Sequence, residues 1–338
     1  MSPKAYGFEI DVFSYCNLRC PSCLVGMGYG DNAAWRYTLM PQSRLERILD
    51  KALGECEIRW VALYNWTEPL LHPEIVQLVG AVKSRKLPCL VSSNLNVLRN
   101  PEELVSGGLD SLRVSLSGFT QDVYQRNHRR GDIEVVKANM RRLSAAVKAT
   151  GSTTLVQVFY HLYRDNQHEV AAMKSLAEEL GFRFETAYAY VTVVEKIIEI
   201  AHGNVTEADR DLLDGLAIPL DRALAVTSQA RKTTCGLRED IIPLDPEGNV
   251  MLCTGSSMAP HNIVGNFLDH SIDELQQRRR RMTLCGPCLA LGIEDYLTGQ
   301  HKLAGLARSS RRSEPPGDGP RAGGGRARLA RPEAARPA

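Results

Sequence analysis

Between residues 7 and 190 the chain alternates short β-rich runs with helical stretches, and this alternation limits the fold more than any other feature. The runs GFEIDV (7–12), RWVALY (59–64), CLVSS (89–93), LRVSLS (112–117), TLVQVFY (154–160) and RFETAYA (183–189) read as strands. Helices are expected at about 41–53, 73–86, 101–107, 132–149 and 167–180. The second opens with Pro73 at the first helical position, where a missing N–H costs nothing. Strands joined through helices pair in parallel, because a tight hairpin cannot connect parallel neighbours. Six such units are too few for a closed eight-fold barrel. The expected fold is therefore α/β, with residues 1–200 as a partial (β/α)6 TIM-like barrel whose chemistry sits at the C-terminal ends of its strands.

The remainder divides by composition. Residues 201–230 read as a helical linker, with Thr206 as the N-cap of a helix over 204–230. Residues 231–300 form a small extension, in which IIPLDPEGNVMLC is a hairpin turning at Asp245 to Asn249. SIDELQQRRRRM is a helix whose Ser271 and Glu274 have capping-box spacing. Residues 301–338 read as a disordered basic tail, since Gly, Pro, Arg and Ala offer little to bury. From 308 onward it holds eight Arg against three acids, a net of +5, so a whole-chain charge of +2 leaves −3 for everything before it. A tail without aromatics is a poor nucleic-acid arm. No apolar run approaches the roughly 18 residues of a membrane span, and the N-terminus lacks the pattern of a signal peptide. A cytoplasmic protein is expected, in which nine cysteines mean metal and not disulfides.

Three of those cysteines, Cys16, Cys20 and Cys23, stand at C-x3-C-x2-C directly after the first strand. Structural zinc and four-iron clusters both take four protein ligands, so three thiols leave one corner open to a non-protein ligand. The arrangement resembles the radical S-adenosylmethionine (SAM) superfamily. That resemblance implies a 4Fe–4S cluster whose open iron is chelated by SAM. It further implies an electron donor such as flavodoxin or ferredoxin, and a 5′-deoxyadenosyl radical that removes hydrogen from a substrate C–H bond.

The resemblance extends to LYNWTEPLLHPEI (63–75), where Glu68 matches the carboxylate that binds the SAM amino group. Thr67 stands where the family has glycine, and Ser22 replaces the frequent aromatic before the last cysteine. SSN (92–94) places Asn94 against SAM, while SLSGF (115–119) and HRRGD (128–132) nominate Ser115 and Arg130 for its carboxylate.

A second group follows: Cys235, twelve residues, Gly248, four residues, Cys253, and then Cys285-x2-Cys288. Paired cysteines of this kind also suit a zinc ribbon. The spacing resembles the SPASM/twitch extension of the same superfamily. With no cysteine after Cys288, only one auxiliary 4Fe–4S cluster can be fully ligated, as in the twitch type. Cys56 and Cys89, at the opposite ends of their strands, read as inert core thiols.

These assignments leave no thiol to return a hydrogen atom, which favours oxidation of the substrate radical through the auxiliary cluster. The expected function is thus a radical SAM dehydrogenase, and an epimerase stays open because tyrosine can also donate hydrogen. Modification of a ribosomal peptide is a further alternative, and a non-catalytic metal protein that binds nucleic acid is the rival from another class. The net acidic body suits a cationic aminosugar, and the loop at 24–40 is glycine-rich and aromatic enough to cover a pocket. The folded part also resembles twitch enzymes that tailor aminoglycoside and related sugar antibiotics, which implies a small-molecule substrate and a role in antibiotic biosynthesis.

Overall fold

In the computed structural model, which describes residues 4–28, 37–230 and 232–299, the six β-rich runs become β1 (Ala5–Ile10), β2 (Glu57–Ala62), β3 (Cys89–Ser93), β4 (Ser111–Leu116), β5 (Leu155–Leu162) and β6 (Arg183–Tyr188). Each pairs in parallel with the next, so the strands follow chain order across the sheet. Between them run α1 (Gln42–Glu55), α2 (Ile75–Lys83), α3 (Pro101–Ser106), α4 (Gln121–Asn127), α5 (Ile133–Thr150) and α6 (Val170–Glu179). Crossovers of this kind are right-handed, and with strands in chain order that places the helices on one face.

The two-residue period of the strands then sorts their side chains. Phe8, Ile10, Leu112, Val114, Leu116, Val158 and Tyr160 are buried in one continuous core with Val136, Met140 and Leu143 of α5. Each such apolar side chain contributes about 1.5–3 kcal/mol when fully buried. The alternate positions carry Glu9, Ser92, Arg113, Ser115 and His161, and they look toward the face without helices.

The chain then forms α7 (Val194–Ala201), α8 (Glu207–Gly215), α9 (Leu220–Thr227) and α10 (Gly236–Glu239). It returns to the sheet as β7 (Ile241–Leu244), β8 (Asn249–Met251) and β9 (Ile263–Asn266), and ends in α11 (Ile272–Arg280), α12 (Cys285–Ala290) and α13 (Ile293–Thr298). β7 pairs in parallel with β1, while β8 and β9 add antiparallel strands, giving one sheet of nine. Gly248 turns the hairpin with a φ of +85°, a conformation that costs a side-chain-bearing residue roughly 1–2 kcal/mol. Asp245 braces the turn by accepting from the amides of Glu247 and Asn249.

Local signals hold at two helix starts: Thr206 with Asp209, and Ser271 with Glu274, both form capping boxes. Two expectations need correction. The helix over 204–230 is two helices, because Pro219 lacks an N–H, biases Ile218 away from helical angles, and so becomes the N-cap of α9. The helix expected from Pro73 begins at Ile75, since His72 Nδ1 takes the Glu74 amide in a turn of its own. Leu212, Leu216, Leu220 and Leu224 share a second core with Val194, Ile197, Ile293 and Tyr296, so α7 to α9 are packed against α13. Among the described residues no helix is long and apolar enough to cross a membrane. The expected disordered tail, and part of the loop expected to cover a pocket, lie outside the described residues.

Candidate functional site

β1 runs through Asp11 into the loop that carries Cys16, Cys20 and Cys23, and all three thiols line a cavity of about 240 Å³ on the polar face of the sheet. The loop is wound on itself: the Cys23 amide donates to the Cys20 carbonyl at 3.0 Å and the Met27 amide to the Cys23 carbonyl at 2.9 Å. Gly26 permits this, because a Cβ there would stand 1.8 Å from the Cys20 carbonyl oxygen. Burial first, and then Glu68 and Cys23, push the Cys16 thiol far up, and burial with both neighbouring thiols does the same to Cys20. Burial pushes Cys23 up to about 11. Three thiolates this costly in isolation fit a cationic metal group that offsets their charge.

The loop after β2 is set by Asp11. Its buried carboxylate accepts the amides of Asn65, Trp66 and Thr67, and the Thr67 hydroxyl at 2.6 Å. Threonine in place of the expected glycine is thus a tie to β1 that glycine would lack. Glu68 follows, 3% exposed, its two oxygens accepting from the Leu70 amide at 3.0 Å and the Asn94 amide at 2.8 Å. Burial pushes Glu68 up to about 7 against those hydrogen bonds. Asn94 turns its side-chain amide to Asn17 Oδ1 at 2.9 Å and to Cys16 Sγ at 3.8 Å. Glu68, Asn94 and Ser115 all line the cavity with the three cysteines. Arg130 does not: it is exposed, has a φ of +73°, and is absent from the cavity wall.

Several wall residues escaped the sequence reading. His161 Nε2 meets Ser115 Oγ at 2.9 Å, and burial, with Arg113 adding repulsion, pushes this imidazole down to about 4, so it is neutral near pH 7. Tyr163 brings its hydroxyl to 3.1 Å from Ser22 Oγ, inside the cysteine motif. Tyr64 and Tyr190 complete an aromatic side of the wall. Just beyond it, Thr254 bonds to both Glu9 and Asn65 Oδ1, joining the residue after Cys253 to β1 and to the β2 loop. The strand period marks Glu9 and His161 as residues of the polar face, and nothing local marks what they meet.

The second cysteine group draws on three elements: Cys235 precedes α10, Cys253 follows β8, and Cys285 and Cys288 lie on α12. All four line one small cavity with Val194, Arg238, Leu252, Leu284 and Leu289. Burial pushes Cys253 up to about 12, and burial with the three other thiols pushes Cys288 up further. Arg279 is fully buried nearby. It donates to the Leu252 carbonyl at 2.7 Å and the Ile241 carbonyl at 2.9 Å, yet its Nη2 has no hydrogen-bond partner among the described residues. A buried cation with an unspent donor, near Cys235, Cys253 and Arg238, fits a group of net negative charge. Among the described residues no three His, Cys, Asp or Glu side chains stand close enough to grip one metal ion. The thiols of each group line one cavity, a donor set that suits an iron–sulfur cluster.

The model of the radical SAM superfamily matches residues 10–177 of this chain. A GTP 3′,8-cyclase of Chlorobaculum tepidum is 30% identical over 174 residues, which cover 51% of this chain and 49% of that protein, so the match spans about half of each. Among solved structures, Streptococcus suis SuiB bound to the precursor peptide SuiA superposes with a TM-score of 0.57 at 13% identity, covering 86% of this chain and 71% of that one. Native anSMEcpe with bound AdoMet and a Cp18Cys peptide gives a TM-score of 0.51 at 15% identity over 83% and 81% of the two chains. At such identity these two likenesses speak for the fold alone.

Proposed function

Through residues 10–177 the chain belongs to the radical SAM superfamily, and on that premise we propose that it removes a hydrogen atom from a small polar substrate in the cavity and oxidises that substrate, as a dehydrogenase with a twitch-type second cluster. When bound, SAM and a 4Fe–4S cluster on Cys16, Cys20 and Cys23 supply the radical, and a cluster on Cys235, Cys253, Cys285 and Cys288 supplies an electron acceptor. The protein's own part is to position and to exclude water. Glu68 takes the SAM ammonium, with Asn94 and Ser115 beside it and neutral His161 orienting the Ser115 hydroxyl. Arg130 is exposed and does not line this cavity.

The observation that carries the oxidative outcome is the cysteine inventory. Of nine cysteines, seven stand in the two groups, and the remaining Cys56 and Cys89 are buried in the core on the helical face. No thiol is left at the cavity to return hydrogen. Epimerisation is the second reading, favoured by the phenols of Tyr64, Tyr163 and Tyr190 on the cavity wall. The net charge of −3 on the chain before residue 308 supports a cationic aminosugar such as an aminoglycoside intermediate. The GTP 3′,8-cyclase match, confined to half of each protein, supports the radical chemistry and not the nucleotide substrate.

The test is to incubate reduced, iron-loaded protein with SAM and a panel of aminoglycosides in deuterium oxide. A product lighter by two hydrogens, formed one for one with 5′-deoxyadenosine, is expected. A product bearing one solvent deuterium at an inverted carbon replaces dehydrogenation with epimerisation.

A further inference from the structure

Consecutive arginines from Arg278 to Arg281 stand at the end of α11, and one of them differs from the rest. Arg278, Arg280 and Arg281 are exposed, whereas Arg279 is 0% exposed, on the face of the helix that buries Ile272, Leu275 and Gln276. The helical period offers that place to an apolar side chain. A guanidinium is disfavoured there unless an anion meets it.

The fork of Arg279 is nearly spent on neutral acceptors. Nε donates to the carbonyl of Leu252, the residue before Cys253, at 2.7 Å, and Nη1 donates to the Ile241 carbonyl and to Gln276 Oε1, both at 2.9 Å. Only Nη2 is left, buried and without a partner among the described residues. The acids nearby are engaged elsewhere: Glu239 takes Arg238 at 3.1 Å and Arg280 at 2.6 Å, while Glu294 and Asp295 hold Lys232 at 2.6 and 2.8 Å. Cys253 acts on the charge of Arg279 more strongly than Glu239 does, and Cys235 adds to it. A second arginine belongs to the same frame. Arg238 lines the four-thiol cavity within reach of Cys285, and Gln276 ties it to Arg279, donating through Nε2 to the Arg238 carbonyl at 3.4 Å.

We infer that Arg279, with Arg238, is the built-in counter-charge of the group held by Cys235, Cys253, Cys285 and Cys288, that its Nη2 donates to a sulfur of that group, and that the pair raises the group's reduction potential. The inference rests on the reading of these four cysteines as ligands of a second cluster, and it adds a role for residues outside the ligand set. A four-thiolate cluster is anionic and gains one more negative charge on reduction, so a fixed cation and a donated N–H favour its reduced form. The apolar walls Val194, Leu252, Leu284 and Leu289 strengthen both effects by keeping the local dielectric low. A raised potential suits a group that must accept an electron. Arg279 is absent from the wall of the larger cavity, so it acts through the second group alone.

The experiment titrates full-length, iron-loaded protein against applied potential and follows it by low-temperature electron paramagnetic resonance, with no turnover required. SAM tells the two sites apart, because it shifts the signal of the three-thiol site and leaves that of the four-thiol site alone. Arg279→Gln should lower the potential of the four-thiol site by at least about tenfold in its one-electron equilibrium, about 59 mV. Arg279→Lys keeps the charge and should stay within about threefold of wild type, and Arg238→Gln, whose charge Glu239 already offsets, should fall by about threefold. The three-thiol site should move by less than about twofold in all of them. Isotopically labelled arginine should give the four-thiol signal of the wild type a nitrogen coupling that persists in Arg238→Gln, a measurement that needs no change at Arg279. Equal potentials for wild type and Arg279→Gln, an equal fall in the Gln and Lys variants, or no arginine coupling overturns the inference and leaves the cluster reading standing. A wild type with one iron–sulfur signal in place of two would strike at that reading itself, and at the inference with it.

Discussion

The two cysteine groups are built in opposite ways. The first takes three thiols from one loop of eight residues, and its cavity wall sets polar groups, Glu68, Asn94, Ser115 and two neutral histidines, beside an aromatic side. The second gathers four thiols from three separate elements, and apart from Arg238 the other walls of its cavity are apolar, Val194, Leu252, Leu284 and Leu289. A group held on three corners in a polar cavity can take a ligand from outside. One held on four corners among leucines is closed to ligands and suited to exchange electrons alone. The same contrast extends to folding. The first loop is pinned by its own backbone and by Asp11, whereas the second site draws its ligands from segments that distant contacts bring together, among them Arg279 on the Leu252 and Ile241 carbonyls and Lys232 on Glu294 and Asp295.

The strongest way to break this comparison is to empty one site at a time. Changing Cys16, Cys20 and Cys23 to Ala should lower iron from about eight to about four per chain and bring 5′-deoxyadenosine below detection. Stoichiometric zinc in place of iron would collapse the distinction altogether. Changing Cys235 and Cys253 to Ala should act differently: SAM cleavage persists while oxidised product falls by about a hundredfold or more, the scale of losing a whole catalytic function. This variant should also melt earlier than the triple variant, because a group held by ligands from three separate elements would cross-link them, whereas one held by a single loop would not. If it lost SAM cleavage with its structure intact, the division of labour would be wrong.

The smallest effect concerns the joint between the two regions, where Thr254 meets Glu9. Burial pushes Glu9 up to about 7 and Asp11 up to about 6, against the hydrogen bonds they accept. Between the ordinary carboxylate range and pH 7 the folded chain therefore holds more protons than the unfolded one. Stability falls as pH rises through that window and levels off above it. For Glu9 the shift corresponds to about 3 kcal/mol at its full extent. Denaturant unfolding of Glu9→Gln should show a flatter profile from pH 5 to 8 and a gain over wild type at pH 8. A profile unchanged by the substitution would remove Glu9 from the joint.

How far could these features be read before folding? The cysteine loop was legible because three ligands on adjacent turns need no distant partner. The Thr206 cap, the Ser271–Glu274 capping box and the Gly248 turn were legible for the same reason, since each is decided within four or five residues. Glu68 and Asn94 could be nominated from their motifs, but their mutual bond, across 26 residues, could not. Arg130, nominated from its motif, is exposed and off the cavity wall, for a motif carries residue identity and says nothing about which side of a loop a side chain leaves from. The break at Pro219 was written in the sequence and outweighed there by the helical periodicity around it.

What the sequence determined by itself was therefore the inventory and its local geometry: six βα units, three thiols on one loop, four more to close a second group, and the residues that start and stop helices. These follow from backbone periods of 2.0 and 3.6 and from steric rules that act between near neighbours. Only the tertiary structure decided which of these parts meet. β7 pairs with β1, and that pairing brings Thr254 to Glu9 across 245 residues and the closed thiol site up to the open one. Ser115 reaches His161 because β4 and β5 are adjacent and in register. Contacts of that length are selected by strand order and burial of the whole core, a balance no single segment can express.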